Sequence, residues 1–411
     1  MLSFSTPLSG LNANSEDLTV IANNVANLNT VAYKSSQASF EDLFYQQLGS
    51  SGNGNPIQIG VGTQVSSIST EFTQGGLQGT GVPTNVAIQG DGFFLLSNNG
   101  TDEYTRAGNF SIASDGSLVA SDGSLVLGNP AINGVIAPSP TPTPISIPTG
   151  LTTPPKATGT VGITLNLDSG TAVGGTFSTS ASVHDALGQV HVLTYTFTKT
   201  AANAWNYAIT IPGADVGAAN PVTVNSGTLM FSGSGVLTSP AADVSGIAIT
   251  GFANGAANLS YTWQLFNPNT GPLLTQFSGP SATSATQDDG YAAGTLQTFN
   301  IQGDGTIQGV FSNGQTQALG QITIATFADE QGLLRNGSNA FLQSLSSGSP
   351  NIGTPGTGGR GTLAGGSLEQ SNVDISGEFA NLILAERGFQ ANARVVTTFD
   401  QVIQAAIALS Q

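Results

Sequence analysis

Each end of the chain carries a long apolar stripe at helical spacing, and neither stripe has a partner nearby in sequence. At the N-terminal end the stripe is Leu8, Leu11, Leu18, Ile21, Val25 and Leu28. Leu11, Leu18 and Val25 stand seven apart, as do Ile21 and Leu28. They line one face of a helix of about 22 residues, about 33 Å long. Thr6 followed by Pro7 reads as an N-cap and first-turn proline, and Asn23, Asn24, Asn27 and Asn29 as a frayed end. At the C-terminal end Leu382, Phe389, Val396 and Ile403 recur every seven residues, and Phe399 widens the stripe. Ser376 reads as the N-cap there, Glu378 suits the first turn, and Gly388 is a local weak point. A bare apolar stripe must be covered. The simplest cover is the other stripe, in a coiled coil of the two termini; the alternative is that each helix docks on a β core.

Between the ends the pattern changes to strands. Asp-Gly pairs begin at Asp91, Asp115, Asp122, Asp289 and Asp304, and Asn-Gly pairs at Asn99, Asn133, Asn254, Asn313 and Asn336. Such pairs are hairpin turns when strands flank them. The flanks, among them 86–96, 110–119, 190–198 and 318–327, are rich in β-branched and aromatic residues. The proline-rich run 138–155 reads as an extended, semi-rigid linker. The turn-rich stretch 280–290 reads as the return crossing, and 346–366 as a flexible Gly/Ser segment. The expected fold is multidomain and mostly β, with sandwich or barrel-like domains, terminal α-helices and a nested insertion. Its expected parts are 1–35 with 371–411 (helices), 36–70 with 346–370 (connecting segments), 71–145 with 285–345 (inner β domain) and 146–284 (inserted outer β domain).

Composition narrows the function. Only 8% of residues are charged, against about 25% in an average chain, while 39% are hydrophobic, too many for general disorder. Surfaces poor in charge can meet protein without stripping ions of water. Eight Lys and Arg face 24 Asp and Glu, a formal charge of −16, which argues against nucleic-acid partners and anionic membranes. No cysteine is present, so disulfides and thiolate sites are out. No apolar run is long enough to span a bilayer. No Lys or Arg precedes Lys34, so the charged start of a secretory signal peptide is missing, and composition leaves the chain either cytosolic or exported by a route that cleaves nothing.

No constellation reaches the standard of a catalytic, cofactor or metal site. His184 and His191 flank a short turn beside Asp185, with no third ligand nearby, and read as hairpin residues. The Asp-Gly turns lack the alternating acids and closing glutamate of a calcium loop. There is no Gly-x-Ser-x-Gly elbow. Trp205 and Trp263 sit in strand patterns and read as core, with a sugar-stacking role as the alternative.

Several segments in chain order carry a family resemblance. They are 9–13, Ile21 to Lys34, 86–94, 104–110, 371–374 leading into Glu378-Phe379, and 385–392. They closely resemble the signatures of the flagellar rod and hook family of axial proteins. Asn23, Asn24, Asn27, Asn29, Thr30, Tyr33 and Lys34 carry the N-terminal match, and Asn372, Val373, Gln390 and Asn392 the C-terminal one. The family has glycine where this chain has Ala32, so the turn there either avoids a positive φ or accepts strain. The resemblance implies a subunit without catalytic activity or cofactor that polymerises with itself into an extracellular helical tube. The stripe residues Leu8, Leu11, Leu18, Ile21, Val25, Leu28, Leu382, Phe389, Val396, Phe399 and Ile403 would form its assembly interface. It implies the flagellar export apparatus, a distal rod protein, a hook cap and hook–filament junction proteins as partners. Length and insertion favour the hook branch, a bendable joint passing torque from rod to filament, with 138–155 and 280–290 letting the outer domain shift. Tyr45 to Pro56 resembles an extra segment of the distal rod branch and keeps a rigid shaft as the alternative. A secreted carbohydrate-active or sugar-binding β protein is the other.

Overall fold

The computed structural model describes residues 4–50, 56–148, 150–269 and 271–409. The chain divides into two compact units. The first comprises Met1–Thr149, Thr298–Gly309 and Thr316–Gln411, and the second Gly150–Gln297 and Val310–Gln315.

The first unit holds both helices, α1 (Ser5–Ala26) and α2 (Ile375–Leu409). They run antiparallel, since Phe4 meets Phe399, Gly10 meets Asn392, Asn14 meets Gly388 and Asn24 meets Glu378. α1 begins at Ser5 with no side-chain cap, so Thr6 is not its N-cap. Pro7 sits in the first turn, where its missing N–H costs nothing. α2 is capped one residue before its start: Asp374 Oδ1 accepts from the Ser376 N–H at 3.0 Å. Aspartate takes the role expected of Ser376, because the carboxylate also suits the positive end of the helix.

After α1 the chain forms β1 (Ser36–Asp42), β2 (Tyr45–Ser50), β3 (Pro56–Gly60) and β4 (Thr63–Thr70). β1 pairs antiparallel with β4, and β2 with β3. Residues 51–55 of the Tyr45–Pro56 stretch lie outside the described residues. The strand Phe93–Asn98 turns into Thr101–Thr105 through Asn99-Gly100, both at positive φ, as a type I′ turn requires. Asn133-Gly134 turns the same way. Asn336-Gly337 does not. It lies in the strand Leu334–Gly337, and the turn is made by Ser338 and Asn339, both at positive φ. A core of Phe93, Leu95, Tyr104, Leu127, Ala325, Leu333 and Phe341 lies beneath these strands.

Two presumed linkers are stitched into this unit. Ile145 and Ile147 are buried; Ile145 N–H donates to Val126 O and Ile147 N–H to Gly116 O. The prolines keep this run extended, and the isoleucines between them anchor it. The 346–366 stretch contributes Asn351–Gly353, paired with Ile324–Thr326, and Thr362–Gly365, paired with Val86–Gln89. Ser367–Glu369 pairs with Leu77–Gly79. Strand pairing uses backbone groups, so glycine content alone does not mark a segment as free.

The second unit is a pair of sheets around one core. Thr176–His184, Val190–Ala201, Ala204–Ile211, Val222–Phe231 and Leu237–Ser239 form an antiparallel meander. In the other sheet Thr160–Asn166 lies parallel to Leu259–Gln264 and antiparallel to Ala282–Asp288. The expected return crossing at 280–290 is therefore largely this strand. Trp205, Trp263, Tyr195, Phe197 and Tyr261 fill the space between the sheets. Both tryptophans are fully buried and offer no face to a sugar; Trp205 Nε1 donates to Gln276 Oε1.

His184 and His191 flank the turn between the first two meander strands. Asp185 organises it, accepting from the Leu187 and Gln189 N–H groups through Oδ1 and lying 3.1 Å from His191 Nε2 through Oδ2. Asn254 also donates to Oδ2. These bonds outweigh burial and hold the Asp185 carboxyl below its ordinary value. Among the described residues no group of three His, Cys, Asp or Glu side chains could hold a metal ion.

Candidate assembly interface

The helix pair is built on reciprocal glycine–asparagine contacts. A Cβ on Gly10 would lie 2.8 Å from Asn392 Nδ2, and one on Gly388 would lie 2.5 Å from Asn14 Oδ1. Asn14 in turn donates to the Gly10 carbonyl. Gly388 is thus a close-approach position and not merely a weak point in α2. Gly10, Asn14 and Gly388 escaped the apolar reading because their contribution is small size and amide geometry.

The stripe residues divide by burial. Ile21 is buried; Leu11, Leu18, Val25, Leu28, Leu382, Phe389, Val396, Phe399 and Ile403 are half-buried; Leu8 is exposed. At 100° per residue Leu382, Phe389, Val396 and Ile403 share an arc of α2 with Asn392 and the buried Ala385. α2 does not stop being apolar outside that arc. Phe379, Ile383, Leu384, Val395, Val402 and Leu409 are all exposed, Leu384 by 70%. α2 has 35 residues against 22 in α1, so its last turns run past the described start of its partner.

The signature residues form a polar node where the helices meet the β strands. Asn24 is buried within α1, not at a frayed end. Its Nδ2 donates to Ser36 O and Glu378 Oε1, and its Oδ1 accepts from Ser36 N–H and the Tyr33 hydroxyl. Asn23 donates to that hydroxyl, and Asn27 accepts from Thr30 Oγ1. Asn29 is exposed, and Val373 is buried. Asn372 accepts from Ser35 N–H and donates to Glu71 O and Thr73 O. Gln390 donates to Glu386 on α2 itself. Ala32 adopts φ 55° while almost wholly buried, so the turn accepts the strain.

Beneath this node lies an ion pair with no exposed side-chain surface. Lys34 Nζ is 2.7 Å from Glu369 Oε1 and donates to Thr73 O, while Gly75 N–H donates to the same carboxylate oxygen. Arg106, also buried, approaches Glu369 Oε2 at 3.9 Å and donates to Gly90 O. Burial lowers the Lys34 pKa, and the Glu369 carboxylate opposes it. Nothing in the sequence around Glu369 marks it as the partner of Lys34. Burial likewise raises the carboxyls of Asp17, on α1, and Glu378, on α2.

The two ends of the chain pair as helices, and its β strands lie between them in sequence. Four family models match in the same order along the chain. They are flagella basal body rod protein over 4–34, flagellar hook protein FlgE/F/G D1 domain over 87–165, flagellar basal body protein FlaE D2 domain over 153–291, and flagellar basal body rod FlgEFG protein C-terminal over 364–409. The flagellar hook protein FlgE of Treponema pallidum is 34% identical with all of both chains covered. That of Escherichia coli is 36% identical over 99% of this chain and 100% of its own. The chain belongs to the flagellar hook protein family. A crystal structure of Helicobacter pylori flagellar hook protein FlgE2 shares the fold, with a TM-score of 0.52 at 16% identity, covering 70% of this chain and 98% of that one. No helix among the described residues is long and apolar enough to cross a membrane.

Proposed function

We propose that the chain polymerises into the flagellar hook, the flexible joint that carries motor torque from rod to filament. It is a structural subunit, with no catalytic role and no cofactor. The observation that carries this reading is the apolar surface of α2, which its own α1 leaves uncovered. Uncovered apolar helix surface gains burial only when further helices arrive. A contact between two different faces of the same chain propagates as an open helix instead of closing. The paired helices form the self-association interface, in which the stripe residues named above hold α1 to α2 and the exposed α2 residues Phe379, Ile383, Leu384, Val395 and Val402 meet other copies. The other partners are the distal rod protein, the hook cap, the hook–filament junction proteins and the export apparatus, and the assembled location is the extracellular flagellum.

The test is complementation. The full chain, made in a flagellated host lacking its own hook gene, is expected to restore curved tubes between rod and filament, visible by electron microscopy. Straight, rigid tubes would replace the hook reading with that of a rod, and exported, folded chains without any tube would overturn polymerisation.

A further inference from the structure

Of the eight Lys and Arg residues, six are engaged within the chain. Lys34 and Arg106 serve the Glu369 node, and Lys156 pairs with Asp289. Lys199 donates to Ser169 O, Arg335 to Lys34 O and Arg360 to Thr354 O. The Arg387 and Arg394 side chains have no partner among the described residues. They stand seven apart on α2, on the side away from α1: Arg394 is nine residues, two and a half turns, from the buried Ala385. Exposed Ile383, Leu384 and Val395 flank them. Two cations without a partner on an apolar helix face are unusual in a chain of charge −16.

The first unit also has a groove that suits them. A cavity of about 420 Å³ opens between α1, α2 and β1, with Val20, Phe40 and Leu384 among its walls and Asp17, Glu71 and Glu378 bringing carboxylates. No Lys or Arg lines it. Burial penalises the charged forms of Asp17 and Glu378, a penalty that a cation would relieve. Apolar walls beside carboxylates match an arginine, which buries its stem and offers a planar fork to a carboxylate.

We infer that Arg387 and Arg394 on the back of α2 dock into the carboxylate groove of a second copy of this chain, fixing the register of neighbouring helices. This deepens the polymerisation reading and rests on it. Each copy presents both halves, a donor face and an acceptor groove, so the contact is heterologous and repeats without closing. Apolar contact supplies most of the burial, and the arginines select among the registers that an apolar surface would otherwise allow.

The test uses purified full-length chain and its critical concentration for polymerisation. Arg387→Glu with Arg394→Glu should raise that concentration about tenfold, the effect of a modest interfacial charge pair. Asp17→Arg with Glu378→Arg should do the same. An equimolar mixture of the two variants should polymerise near the wild-type concentration, because each then meets an opposite charge in the other. Glu378 also holds Asn24, so folding of that second variant is checked by circular dichroism. Arg387→Gln with Arg394→Gln provides an independent reading, since the salt dependence of assembly should largely disappear. An unchanged critical concentration in the arginine variants, or a folded mixture that fails to polymerise, overturns the inference while leaving polymerisation intact. A wild-type chain that never polymerises overturns the assembly reading and this inference with it.

Discussion

At Ala32 the left-handed backbone costs an L-residue about 1 kcal/mol, and the side chain is held in a buried turn between α1 and β1. Ala32→Gly should therefore stabilise the chain by about 0.5 to 1 kcal/mol in urea unfolding, against the usual loss for glycine. Lys34→Met should cost about 3 to 5 kcal/mol, because it leaves Glu369 buried without its nearest cation. Adding Glu369→Leu should return only part of that loss, since the Gly75 N–H then lacks its acceptor. Asp185 allows a test by pH. Its folded pKa lies below 3.8, so its contribution is complete above 3.8 and fades as pH falls through the lower folded value. Asp185→Asn should cost about 1 to 2 kcal/mol at neutral pH, and the gap to wild type should close only in strong acid. Both tryptophans lie in the core of that unit, so their fluorescence follows its unfolding.

At the scale of elements, helix propensity and packing oppose each other at Gly388. Alanine is worth about 1 kcal/mol over glycine inside a helix, yet a Cβ there meets Asn14. Gly388→Ala should destabilise the helix pair in the natural sequence and stabilise it once Asn14→Ala is present, as thermal melts of helicity will register. The existence of both helices was legible because heptad spacing over several turns has few other readings. So were the Asn99 and Asn133 turns, where the chain needs positive φ. The true cap of α2 was missed because Asp374 and Ser376 are both good N-cap residues two positions apart, while the Ser338-Asn339 turn and the anchored proline run were not legible because they depend on hydrogen bonds to distant segments. The same limit hid most of the candidate interface. Heptads gave the half-buried stripe, while the Lys34–Glu369 pair joins positions far apart in sequence, and the Arg387 and Arg394 face acquires meaning only once α1 is seen to lie on the opposite side.

At the scale of the whole molecule, charge is scarce and most of the cations are used internally, so neighbouring copies must meet largely through uncharged surface. Assembly through the helices requires the uncovered surface of α2 to be buried between copies. The chain has no cysteine, so a single introduced thiol reports its own surroundings without background. Maleimide labelling of Leu384→Cys and of Val402→Cys, compared between folded monomer and assembled tube, measures that burial directly. Labelling in the tube slowed tenfold or more is the predicted result. Equal rates in monomer and tube would show that α2 keeps its free faces in solvent, and would contradict the account.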